Sequence, residues 1–269
     1  MTALPRVLEP DALRQALGRV ELQVVDLSQG YAEGHIPGAV HLDYGHVIAP
    51  RPPATGLLPD LPQLQSLCEE LGLRPGTQVV VCDDEGGGRA ARLLWTLEVM
   101  GHQGGALLDG GLPAWCAEGY PLATEPAVGS PSPCRLHIND TLIADKDYLL
   151  SHLHDRDTVI IDCRTAAEYR GERVNAQRGG HIPGAINIDW SRSQDPKRQL
   201  RLHPAAALRA LYEEAGVTPD KEVITYCHSH RRSAHTWLVL TYLGYPRVRC
   251  YPGSWSEWGN DPALPIETE

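Results

Sequence analysis

With 269 residues, the chain is long enough for one large domain or two ordinary ones, and its 42% hydrophobic and 22% charged residues are typical of folded proteins. The formal net charge of −10 is unfavourable for general binding to nucleic acid or an anionic membrane, because both carry dense negative charge. No uninterrupted apolar run approaches the roughly 20 residues of a membrane-spanning helix.

The start of the chain (MTALPRVLEPDALRQAL) is mixed and amphipathic, without an apolar core and a small-residue cleavage site, so it does not predict a secretory leader. Seven cysteines are scattered along the chain without any Cys-x-x-Cys pair. This pattern is typical of a reducing compartment and does not indicate a disulfide framework. We therefore expect a cytoplasmic protein. The cysteines are Cys68, Cys82, Cys116, Cys134, Cys163, Cys227 and Cys250.

Four segments of the first half return in the same order in the second half. The first set is 24–28 (VVDLS), 32–43 (AEGHIPGAVHLD), 78–83 (QVVVCD) and 108–115 (LDGGLPAW). The second set is 160–164 (IIDCR), 178–189 (RGGHIPGAINID), 222–227 (EVITYC) and 251–258 (YPGSWSEW). The sequence is therefore an internal duplication.

A repeat of this length predicts two similar globular domains, because solenoid units are only about 20–50 residues long. Between the copies, residues 124–135 (TEPAVGSPSPCR) are rich in Pro and Gly and indicate an extended linker. We predict a first domain over residues 1–123, a linker over 124–139 and a second domain over 140–269.

Short apolar runs alternate with amphipathic stretches in each copy. Residues 158–164 (TVIIDCR) and 222–227 (EVITYC) are typical of strands buried on both faces. Residues 203–216 (HPAAALRALYEEAG) and 231–245 (RRSAHTWLVLTYLGY) have helical spacing. The alternation predicts an α/β fold in which each domain is a parallel sheet with helices on both faces.

A single cysteine stands where a strand ends and a helix begins, in the stretch YCHSHRRSAHT (226–236). Cys227 ends the apolar run, and the helix starts within about six residues, at the sheet edge where α/β proteins bind ligands. The unpaired N–H groups of the helix start, together with Arg231, Arg232 and the histidines, stabilise a thiolate and lower its pKa. This pattern predicts that Cys227 is a nucleophile.

Other uses of the cysteines are weaker hypotheses. Zinc bound by Cys227, His228 and His230 is disfavoured, because these residues are too close in sequence for ordinary zinc geometry. In the first copy Asp83 aligns with Cys227, and the acidic, glycine-rich DEGGGRAAR that follows predicts a catalytically silent domain.

Four further cysteines are interpreted as inert, buried hydrophobic side chains. These are Cys68, Cys116, Cys134 and Cys250.

A nucleophilic cysteine in such a loop can act on phosphate groups or on sulfur atoms, and the length of the loop distinguishes the two. Cysteine-dependent phosphatases place five residues between the cysteine and the arginine, whereas four lie between Cys227 and Arg232, which Ser233 follows. A tighter ring of N–H groups accommodates one extra sulfur atom and crowds a tetrahedral phosphoryl group. Loop length therefore favours sulfur chemistry.

The ordered set of motifs resembles the two-domain rhodanese family of sulfurtransferases over essentially the whole chain. Four stretches carry the resemblance: 162–172 (DCRTAAEYRGE), 178–187 (RGGHIPGAIN), 226–233 (YCHSHRRS) and 253–267 (GSWSEWGNDPALPIE). It implies a rhodanese-like fold in both domains and a persulfide on Cys227, with no separate cofactor and no metal. It also implies that Trp255 forms an apolar wall of the catalytic pocket.

The loop differs from two known variants of the family. It is neither the Cys-Gly-Ser-Gly-Val-Thr-like loop of mercaptopyruvate sulfurtransferases nor the Cys-Arg-Lys-Gly-Val-Thr-like loop of the vertebrate thiosulfate enzyme, and it resembles a bacterial subgroup. Glu168 stands where the vertebrate enzymes have a substrate-binding arginine. Binding of the substrate anion is therefore assigned to the loop. An alternative role for Arg232 is to hydrogen-bond the backbone of the loop. The expected binding residues are His228, Ser229, His230, Arg231, Arg232 and Ser233.

The expected reaction transfers the sulfane sulfur of thiosulfate to cyanide, or to a small or protein thiol, through a covalent Cys227 intermediate. The alternatives are 3-mercaptopyruvate sulfurtransferase activity, a cysteine-dependent phosphatase, and a non-catalytic sulfur-carrier or redox module. Neither nucleic acid nor a membrane is an expected partner.

Overall fold

The computed structural model describes residues 4–74, 76–127, 129 and 131–268, which form two compact units. The first unit comprises the described parts of Met1–Val47, Pro59–Asn139 and Gln194–Leu202. The second comprises those of Ile48–Leu58, Asp140–Ser193 and His203–Glu269. Each unit thus includes one short segment from the opposite half of the chain. The contiguous division at residues 1–123, 124–139 and 140–269 stays a prediction.

The first half of the chain contains the elements of the first sheet. Its strands are β1 (Val7–Leu8), β2 (Leu22–Asp26), β3 (Val40–His41), β4 (Gln78–Cys82) and β5 (Gly105–Leu108). Its helices are α1 (Pro10–Ala16), α2 (Leu61–Glu70), α3 (Gly88–Val99) and α4 (Gly111–Ala117), with 3₁₀ turns at Tyr31–Glu33 and Tyr44–Val47.

The second half contains two groups of strands. They are β6 (Thr158–Asp162), β7 (Ile186–Asn187), β8 (Gln194–Asp195), β9 (Arg201–Leu202), β10 (Glu222–Tyr226) and β11 (Val248–Cys250). The helices are α5 (Lys146–His152), α6 (Ala166–Tyr169), α7 (Ala205–Glu213), α8 (Arg232–Tyr242) and α9 (Ser254–Trp258), with 3₁₀ turns at Asp140–Leu142, Trp190–Ser193 and Pro196–Arg198. In the part of the chain that the structure describes, no helix has the length and apolar character to cross a membrane.

The first unit is built around a parallel sheet with the strand order β1-β5-β4-β2-β3. Its central strand β4 has the sequence QVVVC, and its three valines are fully buried because β-branched side chains pack well on both faces of a covered sheet. The antiparallel pair β8 and β9 belongs to this unit, where the N–H of Leu202 donates to the Asp109 carboxylate at 2.8 Å.

The second unit is built around a parallel sheet with the strand order β11-β10-β6-β7. Strand β10 lies between β11 and β6, and its last residue, Tyr226, pairs with Asp162. The residue after β10 is therefore placed at the carboxyl edge in the interior of the sheet, and a short loop connects it to α8. The expected α/β architecture of two similar domains with parallel sheets and flanking helices is confirmed.

The strands and helices predicted in the second copy are present and somewhat shorter. The strand expected over 222–227 ends at Tyr226, because Cys227 hydrogen-bonds outside the strand ladder. Its N–H donates to Ser254 Oγ at 3.3 Å, and its carbonyl accepts the N–H of Trp255 at 2.9 Å. The helix expected over 231–245 spans Arg232–Tyr242.

Two expectations about the cysteines are wrong. Cys68 on α2 and Cys134, 66 residues further along the chain, form a disulfide, although their spacing resembles no short disulfide motif. Cys116 is exposed at the end of α4 and is not a buried hydrophobic side chain. Cys250 is fully buried, as expected of an inert thiol.

Candidate active site

The thiol of Cys227 lies at the bottom of a short loop between β10 and α8. Its side chain is only 1% exposed. His230, in the middle of the loop, has φ of 58°, a left-handed conformation that is uncommon for a residue other than glycine. The hydroxyl of Ser233 donates to the Cys227 sulfur at 3.5 Å, and the backbone N–H groups of Ser233 and Ser229 favour its anionic form. The loop is therefore shaped to hold a negatively charged sulfur.

Several groups act in opposite directions on the Cys227 thiol. Burial raises its pKa, but the positive charge of Arg232, the Ser233 hydroxyl and the N–H groups of Ser233 and Ser229 outweigh burial. The net result is a pKa below the usual value for a cysteine. The thiolate, which is the nucleophilic form, is thus more populated near neutral pH than in an ordinary buried cysteine.

A hydrogen-bonded chain connects His230 to the thiolate. Nδ1 of His230 lies 2.8 Å from Ser233 Oγ, and Ser233 Oγ donates to Cys227 Sγ at 3.5 Å. A hydroxyl has one hydrogen, so when Ser233 donates it to sulfur, its oxygen must accept from His230. This arrangement requires the His230 tautomer with hydrogen on Nδ1 whenever Cys227 is ionised.

We expect Ser233→Ala to raise the Cys227 pKa by roughly one unit, because a hydrogen bond to a charged group contributes about 1.5–3 kcal/mol. The kcat/KM of sulfur transfer, the activity expected from the sequence, should then fall about tenfold near neutral pH. The acid limb of the kcat/KM profile should move to higher pH, since more of the cysteine is then protonated. The midpoint is measured by alkylating the protein at several pH values and quantifying the Cys227 peptide. Ser191→Ala, at an exposed hydroxyl bonded to Asp189, is the control. Equal midpoints in both variants would contradict the prediction.

Arg232 forms a bidentate ion pair with Glu168. Its Nη1 and Nη2 donate to the two carboxylate oxygens at 2.7 and 3.0 Å, and the Glu168 side chain is 3% exposed. Burial raises the Glu168 pKa, but Arg232 and Thr165 outweigh burial and lower that pKa to about 2. Both partners are therefore charged at neutral pH. This pairing differs from the backbone role considered for Arg232, and its role in substrate binding stays a prediction.

The loop histidines contribute less positive charge than the sequence suggests. Burial, and secondly the charge of Arg232, lower the His228 pKa, so His228 is largely neutral at neutral pH. Full burial likewise lowers the pKa of His235, on α8, to about 4. His228 therefore adds little positive charge near the thiolate, and its role in substrate binding stays a prediction. Arg231 and Arg232 are the permanent cations of the loop.

A buried network of polar side chains includes Tyr226, the residue directly before Cys227. Arg164 binds the Asp162 carboxylate through Nε and Nη2 at 3.0 and 2.6 Å, and the hydroxyl of Tyr226 donates to the same carboxylate at 2.7 Å. The Arg164 guanidinium also lies 4.4 Å from the centre of the Trp255 ring. Trp255 is 1% exposed and belongs to the hydrophobic core cluster. Its backbone contacts Cys227, and its function as an apolar wall stays a prediction.

Ser254 is a site residue that the sequence analysis missed. It is fully buried, has φ of 51°, accepts the Cys227 N–H and donates its hydroxyl to the Tyr251 carbonyl at 2.8 Å. The aligned position of the first copy is Gly111, with φ of 57°. A serine aligned with a glycine at a left-handed position is the signal that could have identified it.

The first unit has a loop of the same kind, filled by its own carboxylate. Asp83 accepts four backbone N–H groups at 2.8 to 3.0 Å, so the anion site is occupied from within. Burial and the negative charges of Asp26 and Asp83 raise the pKa of Cys82 well above its usual value. These contacts disfavour a nucleophile in the first unit. The four donors are Glu85, Gly87, Arg89 and Ala90.

No group of His, Cys, Asp or Glu side chains suited to a metal ion is found among residues 4–74, 76–127, 129 and 131–268. Function without a cofactor or metal stays a prediction.

Comparison with known proteins shows close relatives over the full length of the chain. The rhodanese-like domain family matches residues 9–118 and 145–261. The thiosulfate sulfurtransferase of Azotobacter vinelandii is 49% identical over 98% of both chains, and that of Pseudomonas aeruginosa is 50% identical over 98% of this chain and 97% of the relative. The sulfur carrier protein TtuD of Thermus thermophilus is 36% identical over 98% of this chain and 97% of the relative.

A solved structure shares the fold. The anaerobic ergothioneine biosynthesis enzyme of Chlorobium limicola superposes with a TM-score of 0.86 at 22% identity, over 98% of this chain and 70% of that one. At this identity the likeness concerns the fold alone.

Proposed function

The chain belongs to the rhodanese-like family, and on that premise we infer that it is a thiosulfate sulfurtransferase that works through Cys227. It transfers the sulfane sulfur of thiosulfate to a thiophilic acceptor. The observation that carries the assignment to Cys227 is its position: a buried thiol of lowered pKa, directly after an interior strand, with four residues between it and Arg232. The first unit supplies structure and no nucleophile.

The transfer proceeds in two displacements. The Cys227 thiolate attacks the outer sulfur of thiosulfate, the sulfur–sulfur bond of the donor breaks, and sulfite leaves with the bonding electrons. Cys227 then carries a persulfide. Cyanide attacks the outer sulfur of this persulfide, thiocyanate leaves, and the thiolate is regenerated. No external oxidant or reductant is consumed.

The loop stabilises the sulfur anion at both stages. The N–H groups of Ser229 and Ser233 and the Ser233 hydroxyl face the thiolate, and the outer sulfur of the persulfide is to be held by the same ring of donors. The first unit supports this proposal, because the loop around Asp83 holds an anionic group through four N–H groups.

Donor choice follows from the charges around the loop. Glu168 is ionised and takes both Nη groups of Arg232, so this edge of the guanidinium is not available for a bidentate contact with the carboxylate of mercaptopyruvate. We propose thiosulfate as the preferred donor and mercaptopyruvate as the weaker one. Phosphatase activity is disfavoured by the short loop.

A thiol on a small molecule or a partner protein is the proposed acceptor in the cell. One relative, 36% identical, is named a sulfur carrier protein, and this favours sulfur carriage as the second candidate function. Cytoplasmic location is also a proposal. The cysteine pattern no longer argues for it, since Cys68 and Cys134 are paired.

The intact mass of the protein tests the mechanism. After incubation with thiosulfate we expect an adduct of one sulfur atom, about 32 Da, which cyanide removes, because a persulfide is the covalent intermediate. Steady formation of thiocyanate identifies an enzyme, whereas an adduct that passes only to a protein thiol identifies a carrier. A mass unchanged by thiosulfate would exclude both.

A further inference from the structure

Residues 48–58 of the first repeat form a hairpin that belongs to the second unit. The N–H of Ala49 donates to the Leu57 carbonyl at 2.9 Å, and the N–H of Arg51 donates to the Ala54 carbonyl at 2.8 Å. Ala54 and Gly56 are buried, whereas Arg51 and the two prolines that follow it are exposed. We refer to this segment as the 48–58 hairpin. One side of it is packed into the unit that carries Cys227.

Gly56 lies directly against the active loop. A Cβ atom at this position would lie 2.2 Å from the carbonyl oxygen of Ser229, 2.5 Å from its carbonyl carbon and 2.9 Å from its Cα. All three are backbone atoms, so no side-chain rotation could relieve the overlap. Only glycine fits here, because of this close approach and not because of its own φ.

A second contact links the hairpin to the preceding loop residue. The N–H of Thr55 donates to Ser256 Oγ at 3.1 Å, and the N–H of Ser256 donates to the His228 carbonyl at 3.0 Å. Ser256 is 1% exposed, whereas Thr55 is exposed, so the bond between them is partly buried. Consecutive residues of the active loop are thus held by consecutive residues of the hairpin, Ser229 through Gly56 and His228 through Thr55 and Ser256.

We propose that Gly56 is a positioning residue for Cys227, acting through Ser229. The N–H of Ser229 is one of the donors that favour the Cys227 thiolate. A hydrogen bond weakens steeply as its angle departs from linear, so a displacement of Ser229 removes stabilisation from the sulfur anion. The absence of a side chain at position 56 lets the Ser229 backbone occupy the place from which its N–H reaches the sulfur.

The test compares Gly56→Ala with Gly30→Ala. At Gly30, φ is −86° and a Cβ would meet only the Glu33 carboxylate, at an ordinary 3.6 Å, so this change should alter nothing. For Gly56→Ala we expect the alkylation midpoint of the Cys227 peptide to rise by roughly one pH unit, the scale of one hydrogen bond to a charged group. A merely structural role would lower the melting temperature and leave the midpoint of the folded protein unchanged.

Ser256→Ala provides an independent variant that introduces no overlap. It removes the acceptor of the Thr55 N–H and the hydroxyl's own bond to the Gly253 carbonyl, and it keeps the backbone bond to the His228 carbonyl, so we expect a smaller midpoint shift in the same direction. If Gly56→Ala does not fold, this variant alone decides. A wild-type midpoint in either folded variant would overturn the proposal.

The consequence for turnover rests on the proposed function, and we expect kcat/KM with thiosulfate to fall with the loss of thiolate. The alkylation midpoint does not depend on that function. Failure of wild-type protein to form a persulfide would refute the sulfurtransferase assignment, whereas an unshifted midpoint refutes the positioning role of Gly56.

Discussion

Replacing Cys227 by serine is expected to abolish transfer of sulfur from thiosulfate to cyanide, with a loss of more than about 10³-fold, as for other catalytic nucleophiles. A hydroxyl cannot carry the persulfide, so neither displacement can take place. The melting temperature should change little, because serine is close in size to cysteine. The measurements are the rate of thiocyanate formation and the intact mass after thiosulfate, which should show no added sulfur.

Cys82→Ala is the matched control, because Cys82 ends the corresponding strand of the first unit. Its pKa is raised well above the usual value by burial and by the charges of Asp26 and Asp83, so it is not available as a thiolate. We expect turnover near that of the wild type. Retained turnover in Cys227→Ser combined with loss in folded Cys82→Ala would move the nucleophile to the first unit.

We expect Arg232→Ala to lower both stability and activity. It leaves the buried carboxylate of Glu168 without its cation, which should lower the free energy of unfolding by up to about 3 kcal/mol, less than for a fully buried pair because Arg232 is 18% exposed. It also removes the charge that opposes burial at the Cys227 thiol, so the thiol pKa should rise. Because the loop also loses a cation, kcat/KM with thiosulfate should fall at least tenfold.

The double variant Glu168→Gln with Arg232→Ala separates these effects. It removes the unpaired buried charge, so the melting temperature should recover while the Cys227 midpoint stays raised. Melting temperature, midpoint and kcat/KM are measured on one preparation of each variant. Recovery of kcat/KM in the double variant would show that the stranded carboxylate, and not the lost cation, caused the defect. Unchanged kinetics in folded Arg232→Ala would restrict Arg232 to a structural role.

The placement of Cys227 at a strand end could be predicted from sequence because its determinants are local. The run EVITY forms β10, Cys227 follows it, and α8 begins at Arg232, so the strand end and the helix start stand within one short stretch. The repeat then aligned Asp83 with Cys227 and predicted a first domain without a nucleophile. Local patterning of this kind also located the strands β6 and β10 to within two residues of their ends.

What sequence could not supply are contacts between distant segments. The pairing of Glu168 with Arg232 joins side chains 64 positions apart, and the disulfide joins cysteines 66 apart. Gly56 stands in the unremarkable stretch ATGLL, and its role becomes visible only beside the Ser229 carbonyl. Likewise, burial and the Arg232 charge favour the neutral form of His228, whereas residue type alone leaves its charge near neutral pH undecided.

The exchange of segments between the halves limits what can be deleted from the chain. A copy without a nucleophile could be deleted without harm only if the other copy were a self-contained unit. Here a deletion of the first copy would also remove residues 48–58, which form the hairpin that contacts Ser229, and the second unit would lose part of its own structure. The chemistry at Cys227 therefore depends on a segment of the first copy, although that copy has Asp83 at the aligned position.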